Sequence, residues 1–245
     1  MFGFTGKATQ GSFLHDVFTS LPPHYDLINH LFTLGLDGRW RLLAVRECLK
    51  GNPQKVLDIC CGTGDLSLTI ANMGSGCVEV TGIDFSRPML EKAKQKAEKR
   101  GLSDRVSFIS GDIAAIPFPD GHFDCIGVSF AFRNLTYKNP FAGKYIAEVI
   151  RVLKPGGRFV IVESSQPHPG SKIIKWLHRF YVRHIVYRVG WLVSGNKEAY
   201  CYLSDSALNY YGAEELQRFL TESGFSRVSF RRLLLGAAAI HVAII

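Results

Sequence analysis

The sequence predicts an α/β fold, built on a mostly parallel seven-stranded sheet with helices on both faces and an antiparallel hairpin at its C-terminal end. From Lys55 onward, short apolar runs alternate with segments whose apolar residues recur at helical spacing. This alternation is typical of right-handed crossovers, which join parallel strands through a helix. Near the end of the chain, two apolar runs meet at a short connection around Gly236, and they predict the antiparallel pair.

The predicted strands follow one another along most of the chain, at residues 56–59, 78–82, 106–109, 123–130, 158–162, 225–233 and 238–245. The helix after the second strand has Ser86 as its N-cap, Pro88 in its first turn and Gly101 after its end. Its lysine-rich outer face is interpreted as a solvated surface. Two further helices are predicted at residues 143–153 and 213–223.

Two segments do not fit the alternation. Residues 1–50 are predicted to form an N-terminal helical cap, and residues 167–212 a helical insertion that acts as a lid. A chain of 245 residues, 47% of them hydrophobic, is long enough for one large domain with a substantial core. We therefore expect a single domain that spans residues 1–245.

Composition and charge narrow the classes of function. Six cysteines are scattered without zinc-like spacing, which predicts buried thiols in a reducing compartment and no metal site. No secretion signal and no membrane-spanning run is recognised, so a cytoplasmic protein is expected. The net charge is +8, and no acidic residue occurs between Glu163 and Glu198. Since no nucleic-acid-reading module accompanies this basic segment, nucleic acid is not expected as its partner.

The first strand ends in a glycine-rich turn that leads into a helix from Asp65. Gly62 and Gly64 would let the backbone approach a ligand, which the amides at the helix start would face. The second strand leads into Asp84, where a carboxylate can accept hydrogen bonds from both hydroxyls of a ribose. A dehydrogenase would place a third glycine where this chain has Ser67, and Asp65 suits an ammonium group better than a diphosphate. The turn therefore predicts S-adenosylmethionine rather than a nicotinamide cofactor.

Polar residues lie at the carboxyl ends of four predicted strands, within or just after them: Asp58, Asp84, Asp112 and Ser129. The carboxyl ends of parallel strands meet at one edge of the sheet, and ligands of α/β proteins bind there. We expect all four residues to belong to a single site.

Further motifs lie outside the turn: Tyr25-Asp26-x-x-Asn29, Gly82-Ile83-Asp84-Phe85-Ser86, Pro117-Phe118-Pro119-Asp120, Phe132-Arg133-Asn134, Arg151-Val152-Leu153-Lys154-Pro155-Gly156-Gly157-Arg158 and Glu198-x-Tyr200-x-Tyr202-Leu203. With them, nearly the whole chain resembles the ubiquinone/menaquinone biosynthesis C-methyltransferases, which are Rossmann-like class I S-adenosylmethionine-dependent methyltransferases. The cofactor motifs are common to many methyltransferases. The arginine-asparagine pair and the first motif narrow the resemblance to quinone enzymes.

The chain departs from this family at three places. Cys60 and Cys61 stand where the family usually has a small residue and a glycine, and we interpret both as packing residues. The N-terminal signature is altered at Ile28, Phe32, Thr33 and Asp37, and the family's Phe-Gly-x-Arg-Asn becomes Phe130-Ala131-Phe132-Arg133-Asn134. The last two departures concern residues that would bind the methyl acceptor in this family. They therefore affect the prediction of which quinone is methylated more than the prediction of the reaction.

The resemblance implies that the cofactor-binding residues are Asp58, Gly62, Thr63, Gly64, Asp84, Asp112, Ile113 and Ser129. Within this set, the glycine turn would line the methionyl and ribose side, and Asp84 would hold the ribose hydroxyls. Asp112 and Ile113 would contact the adenine. Ser129 would form a wall at the end of the fourth strand.

The resemblance also implies an acceptor side. A hydroquinone ring carbon is a weak nucleophile until the neighbouring hydroxyl ionises, and a phenol of this kind has a pKa near ~10. A fixed guanidinium favours the phenolate, so Arg133 is the catalytic candidate, with Asn134 orienting the ring. Tyr25 or Asp26 would relay the proton. A structural alternative stays open, in which Arg133 pairs with a surface carboxylate and Asn134 caps a helix.

The reaction implied by the resemblance is C-methylation of a polyprenyl quinol, with the conversion of demethylmenaquinol to menaquinol as the leading hypothesis. The first alternative is a benzoquinol of the ubiquinone pathway, or another lipid or phenolic acceptor. The second alternative is a non-catalytic S-adenosylmethionine-binding protein at a membrane surface. The length of the tail and the oligomeric state, including a homodimer, are left open by the sequence.

Residues 171–190 are predicted to meet an anionic membrane surface as a helix. Four cations are spaced so that they align in one stripe: Lys172, Lys175, Arg179 and Arg183. Each cation near anionic headgroups is worth about 1 kcal/mol, which is enough for reversible attachment to the inner face of the membrane. A basic-faced lid over the acceptor pocket is a compatible alternative.

Overall fold

A computed structural model of the protein describes residues 30, 33–167, 170–194 and 197–245. Its strands are β1 Lys55–Ile59, β2 Glu79–Asp84, β3 Val106–Ser110, β4 Phe123–Ser129, β5 Leu153–Ser164, β6 Arg227–Leu233 and β7 Ala238–Ile244. They form a seven-stranded sheet in the order β3-β2-β1-β4-β5-β7-β6. β1 to β5 pair in parallel, whereas β7 runs antiparallel between β5 and β6. The predicted sheet and its C-terminal antiparallel hairpin are confirmed.

The helices of the described residues are α1 Asp37–Cys48, α2 Asp65–Met73, α3 Arg87–Lys99, α4 Phe132–Thr136, α5 Ala142–Val152, α6 Lys172–Phe180, α7 Tyr187–Ser194, α8 Lys197–Asn209 and α9 Ala213–Glu222. A π-helical stretch, Tyr181–Val186, joins α6 to α7, so residues 172–194 form a continuous helical segment. The part of the predicted insertion that the structure describes is therefore helical. None of the described helices is long and apolar enough to cross a membrane.

The core lies on both faces of the sheet because successive residues of a strand point to opposite sides. On β1, Val56 packs with residues of α1, α2 and α3, whereas Leu57 packs with residues of α4, α5 and α9. Both side chains are fully buried. This double covering is the reason why the central strands are apolar almost throughout.

A few local predictions need correction. Ser86 occupies the N-cap position of α3, but its side chain makes no capping hydrogen bond; its carbonyl accepts from the Met89 amide. The strand predicted at residues 158–162 is longer, because β5 begins at Leu153 and passes a left-handed Gly156. Most of the predicted N-terminal cap lies outside the described residues.

Candidate active site

The turn between β1 and α2 is the most constrained backbone of the site. Cys60, Gly62 and Gly64 all adopt a left-handed conformation, with φ of 51°, 54° and 80°. A β-carbon on Gly64 would lie 2.8 Å from Phe108 Cζ and 2.9 Å from Ala93 Cβ. This glycine is therefore required by the packing of the turn against β3 and α3, a reason that the sequence did not reveal.

Asp84 ends β2 beside this turn, as predicted. Its Oδ2 accepts a hydrogen bond from the Gly62 amide at 2.8 Å, and its Oδ1 accepts one from the Ser86 amide at 2.8 Å. Burial raises the pKa of Asp84, and the amide hydrogen bonds oppose that shift. Because a carboxylate has about four lone-pair sites, both oxygens can still accept from a ligand.

Asp58 is held from the opposite side by α2. Its Oδ2 accepts hydrogen bonds from the Ser67 amide at 3.0 Å and from Ser67 Oγ at 2.5 Å. Burial raises the pKa of Asp58 to about 7, although both bonds from Ser67 lower it. Ser67 therefore anchors the first turn of α2 to the end of β1, at the position where a dehydrogenase would have glycine.

Asp65, expected to suit the ammonium group of a ligand, has partners within the chain. Lys96 of α3 donates from Nζ to Asp65 Oδ1 at 2.9 Å and to Thr63 Oγ1 at 2.8 Å. The largely buried Arg41 lies 3.8 Å from Asp65 Oδ2 and 3.5 Å from Asp37 Oδ2. The interpretation of the lysine face of α3 as merely solvated was wrong for Lys96, which fixes the cofactor turn.

The predicted adenine side is formed after β3. Asp112 accepts a hydrogen bond from the Ala114 amide at 2.8 Å and begins a short 3₁₀ turn, in which Ile113 is buried. Tyr145 of α5 lies near enough to Asp112 for that carboxylate to raise the pKa of the tyrosine, after the larger effect of burial. At the end of β4, Ser129 Oγ is buried and has no hydrogen-bond partner among the described residues.

Arg133 is buried in α4, and the carboxylate that it contacts among the described residues, Glu163, is buried as well. Its Nη1 donates to Ser164 Oγ at 2.7 Å and lies 3.9 Å from Oε1 of Glu163, and its backbone amide donates to Glu163 Oε2 at 3.0 Å. Glu163 Oε1 in turn accepts from the amide and hydroxyl of Ser164. The oxygen Asn134 Oδ1 is buried and unpartnered within the described chain, so its side chain does not cap the helix.

Arg133 lines an apolar pocket at the carboxyl ends of β4 and β5. The space of the pocket, including the open solvent at its mouth, is about 750 Å³. Trp40 and Phe130 line one side, and His178 and Tyr181 from the helical segment 172–194 line another. The sequence did not single out His178 and Tyr181 as site residues. It also did not single out Glu163 and Ser164, although Glu163 directly follows the strand predicted at residues 158–162.

Tyr25 and Asp26, the predicted proton relay, lie outside the described residues. The other predicted site residues come from the ends of β1, β2, β3 and β4 and from α4, so they share the carboxyl edge of the sheet. No group of three or more metal-ligating side chains occurs in the described ranges. Burial raises the pKa of the Cys60 and Cys61 thiols well above the ordinary value, which fits the interpretation of both as packing residues.

The carboxyl edge of the sheet suits an adenosyl cofactor with a sulfonium group. Asp84 presents a buried carboxylate at the end of β2, where ribose hydroxyls bind in related folds. The unpartnered Ser129 Oγ can bond to a ligand. The amides at the start of α2 follow a turn that an additional side chain at Gly64 would disrupt. These residues fit S-adenosylmethionine.

Solved structures confirm the fold. A SAM-dependent methyltransferase from Aquifex aeolicus superposes with a TM-score of 0.57 and 22% identity, covering 89% of this chain and 97% of that one. The cyclase SpnF superposes with a TM-score of 0.61 and 17% identity, covering 97% and 96%. Because the second protein is a cyclase, the fold alone does not define the reaction.

Curated relatives are more similar in sequence. A demethylmenaquinone methyltransferase from Thermus thermophilus is 41% identical over 92% of this chain and 98% of that protein. One from Deinococcus radiodurans is 39% identical over 96% and 94%. A ubiquinone/menaquinone biosynthesis C-methyltransferase from Pseudomonas aeruginosa is 34% identical over 92% and 86%.

A family model matches residues 6–245, almost the entire chain. This match and the relatives confirm the predicted family and the S-adenosylmethionine-dependent methyltransferase class. Together with the sheet order, they show that the chain belongs to the ubiE/COQ5 methyltransferase family.

Proposed function

We propose that this protein methylates a ring carbon of demethylmenaquinol to give menaquinol, with S-adenosylmethionine as methyl donor. The observation that carries the proposal is the buried Arg133, which lines an apolar pocket at the same edge of the sheet as the predicted cofactor residues. The names of the relatives with 39–41% identity support this acceptor.

On the donor side, S-adenosylmethionine supplies an electrophilic methyl group on a sulfonium centre. Asp84 would accept hydrogen bonds from its ribose, and the Gly62-Thr63-Gly64 turn would line the methionyl side. Asp112 and Ile113 would contact the adenine, and Ser129 would form the wall next to β4. Asp58 would hold the turn in place through its bonds with Ser67.

On the acceptor side, Arg133 favours the quinol phenolate by opposite charge, which raises electron density on the adjacent ring carbon. The hydrogen bond to Ser164 and the nearby carboxylate of Glu163 hold the guanidinium in place, so it is oriented before the substrate binds. The Asn134 carboxamide can orient a second hydroxyl of the ring. Tyr25 or Asp26 remains the predicted relay that passes protons onward.

A benzoquinol of the ubiquinone pathway is the second candidate, since the Pseudomonas aeruginosa relative is named for both quinones. Purified protein would be supplied with S-adenosylmethionine and, separately, with demethylmenaquinol, demethylated ubiquinol precursor or soluble phenols. We expect methyl transfer to the naphthoquinol to be fastest. Mass spectrometry of quinones from cells without the protein should show loss of menaquinone and accumulation of its demethyl form. Unchanged quinones, or equal transfer to soluble phenols, would contradict the proposal.

The helical segment 172–194 carries the proposed contact with the cytoplasmic face of the membrane. Its exposed large apolar side chains are Ile173, Trp176, Leu177, Phe180, Ile185, Trp191 and Leu192. Ile173, Trp176 and Leu192 are 73%, 63% and 77% exposed, which is costly in water and favourable at a lipid interface. On the same segment Lys172, Arg179 and Arg183 are exposed, whereas Lys175 is half-buried.

A surface of this composition matches an anionic bilayer, because aromatic and aliphatic groups can enter the interface while cations contact the headgroups. The inner side of the same segment lines the acceptor pocket through His178 and Tyr181. One helix can therefore serve as a lid and bring a bilayer-bound quinol to Arg133.

Liposome sedimentation tests the membrane contact. Wild type should bind anionic vesicles at low salt and be released at high salt. A variant with Lys172, Lys175, Arg179 and Arg183 changed to Gln should lose capture but keep its affinity for S-adenosylmethionine. The matched control changes four exposed lysines elsewhere to Gln: Lys50, Lys94, Lys99 and Lys144. Equal loss in both variants would show that net charge, not this surface, causes binding.

A further inference from the structure

His178 lines the acceptor pocket without a role in the chemistry described so far. It lies in α6, just before the π-helical stretch, and shares the pocket with Arg133, Glu163 and Tyr181. Its Nδ1 is buried and has no hydrogen-bond partner in the part of the chain that the structure describes. Such a nitrogen costs free energy until a ligand supplies a hydrogen-bond donor. A quinol hydroxyl is a donor of this kind.

The other polar residues of the pocket are poorly suited to hold a proton. Glu163 already accepts three hydrogen bonds, from the Arg133 amide and from the amide and hydroxyl of Ser164. Arg133 is a permanent cation. Asn134 follows Arg133 in α4 without lining the pocket, and its carboxamide does not take up a proton at neutral pH. Among these groups, the imidazole is the remaining base.

We propose that His178 is the catalytic proton acceptor for the quinol hydroxyl next to the reacting carbon. The assignment rests on the proposed function. The O–H bond breaks, the proton moves to Nδ1, and the electron pair stays with the ring. The ring carbon then bonds to the methyl group as the C–S bond of the sulfonium breaks, and loses its own hydrogen as a proton. The imidazolium returns its proton to the oxygen, so one proton in total is released.

The electrostatic surroundings keep His178 in its basic form. Burial lowers the pKa of His178, and the neighbouring Arg179 lowers it further. The two charged residues that line the pocket beside it, Arg133 and Glu163, have opposite signs and so act on an imidazolium in opposite directions. Tyr181 is neutral at the working pH because burial raises its pKa. At neutral pH the imidazole is therefore uncharged and able to accept a proton.

The test is the pH dependence of turnover by His178→Gln. The substrate is a short-tailed demethylmenaquinol kept reduced under anaerobic conditions in detergent. Wild-type kcat should be nearly constant above pH 7. The variant should be about 100-fold slower at pH 7, and its kcat should rise about tenfold per pH unit, since the hydroxyl must ionise unaided toward its pKa near ~10. Affinity for S-adenosylmethionine, measured by calorimetry, should not change.

His184→Gln is the matched control, because His184 lies on the same helical segment but packs against the Phe180 ring and is not among the residues that line the pocket. It should keep the wild-type profile. A second variant, His178→Ala, should regain activity with added imidazole. Wild-type kcat in His178→Gln, or a loss of kcat with neither the steeper profile nor imidazole rescue, overturns the assignment.

Two further outcomes are distinguishable. A steeper pH dependence of kcat in Tyr25→Phe or Asp26→Asn, but not in His178→Gln, would identify one of these N-terminal residues as the proton acceptor. That result overturns the role of His178. Absence of turnover in wild type overturns the proposed function itself, and with it this assignment.

Discussion

The two halves of the candidate site differ in how their buried polar groups are satisfied. In the cofactor half, the carboxylates of Asp58 and Asp84 accept hydrogen bonds from Ser67, Gly62 and Ser86. In the acceptor half, Asn134 Oδ1 and His178 Nδ1 are buried without partners in the described ranges. Apart from Ser129 Oγ, which also has no partner among the described residues, the polar groups of the cofactor half are therefore held by the chain itself, whereas the acceptor half leaves two polar atoms for its substrate.

This difference has an energetic meaning. An unpartnered buried polar group costs about 1–3 kcal/mol, which a ligand recovers when it supplies the missing hydrogen bond. Substitutions in the cofactor half should accordingly change stability and cofactor affinity. Substitutions in the acceptor half should change turnover and leave both of those quantities nearly intact.

The largest effect is expected for Arg133→Lys. Lysine keeps the charge but loses the planar fork that holds an oxyanion and Ser164 together, so kcat should fall about 10²–10³-fold. Cofactor affinity, measured by calorimetry, should stay near the wild-type value. Arg41→Lys is the counterpart in the cofactor half, and should weaken cofactor binding more than turnover. If Arg133→Lys lowers kcat, affinity and melting temperature together, Arg133 is structural.

The second prediction concerns pH and the stability of the ligand-free protein. The pKa of Asp58 is about 7 in the folded state and near 3.8 when exposed, so the folded state binds the proton more tightly. Stability from this group is complete below pH 4 and is lost as pH rises through 7, by at most about 4 kcal/mol.

Asp58→Asn removes that titration while its amide oxygen can still accept from Ser67. Urea unfolding at pH 5 to 8 should show a much flatter profile and a more stable variant at pH 8. The exposed Asp104→Asn serves as control and should follow wild type. Parallel profiles for wild type and Asp58→Asn would mean that Asp58 is already charged in the folded protein at pH 5.

The sequence predicted what depends on local pattern. Period-two and helical spacing set the order of strands and helices, and the acidic residues that end β1 and β2 placed the site at the correct edge. Asp84 illustrates this, because the pattern of a parallel strand is enough to place the residue at its end on the ligand-binding edge of the sheet.

What the sequence did not predict depends on contacts between distant segments. Lys96 looked like part of a solvated face, but α3 packs so that its amine reaches Thr63, 33 positions away. In the sequence, Ser67 was informative only because a dehydrogenase would have glycine there, yet its hydroxyl donates a hydrogen bond to Asp58. His178 lies in an insertion whose register over the pocket is set by tertiary packing, which a stripe of cations does not reveal. The roles of Tyr25 and Asp26 remain predictions.

A moderate effect is expected for Asp84→Asn. The variant loses the charge that strengthens hydrogen bonds from ribose hydroxyls, so S-adenosylmethionine should bind about 30-fold more weakly, or about 2 kcal/mol. Turnover at saturating cofactor should change far less, because the acceptor half is untouched. Glu79→Gln, at the exposed start of the same strand, is the control and should bind like wild type. Unchanged affinity in Asp84→Asn would remove this carboxylate from the cofactor site.

The smallest effect, about 1 kcal/mol or fivefold in cofactor affinity, is expected for Lys96→Met. Its amine bonds to Thr63 Oγ1 and Asp65 Oδ1 from a side chain that is only 25% exposed, so its loss should loosen the turn. Lys94→Met removes the same charge from the same helix, but the partner of Lys94 among the described residues is the exposed Glu91. Calorimetry should therefore show weaker binding for the first variant and wild-type binding for the second. If both variants weaken binding equally, Lys96 acts through net charge, and the cofactor half does not depend on this link to α3.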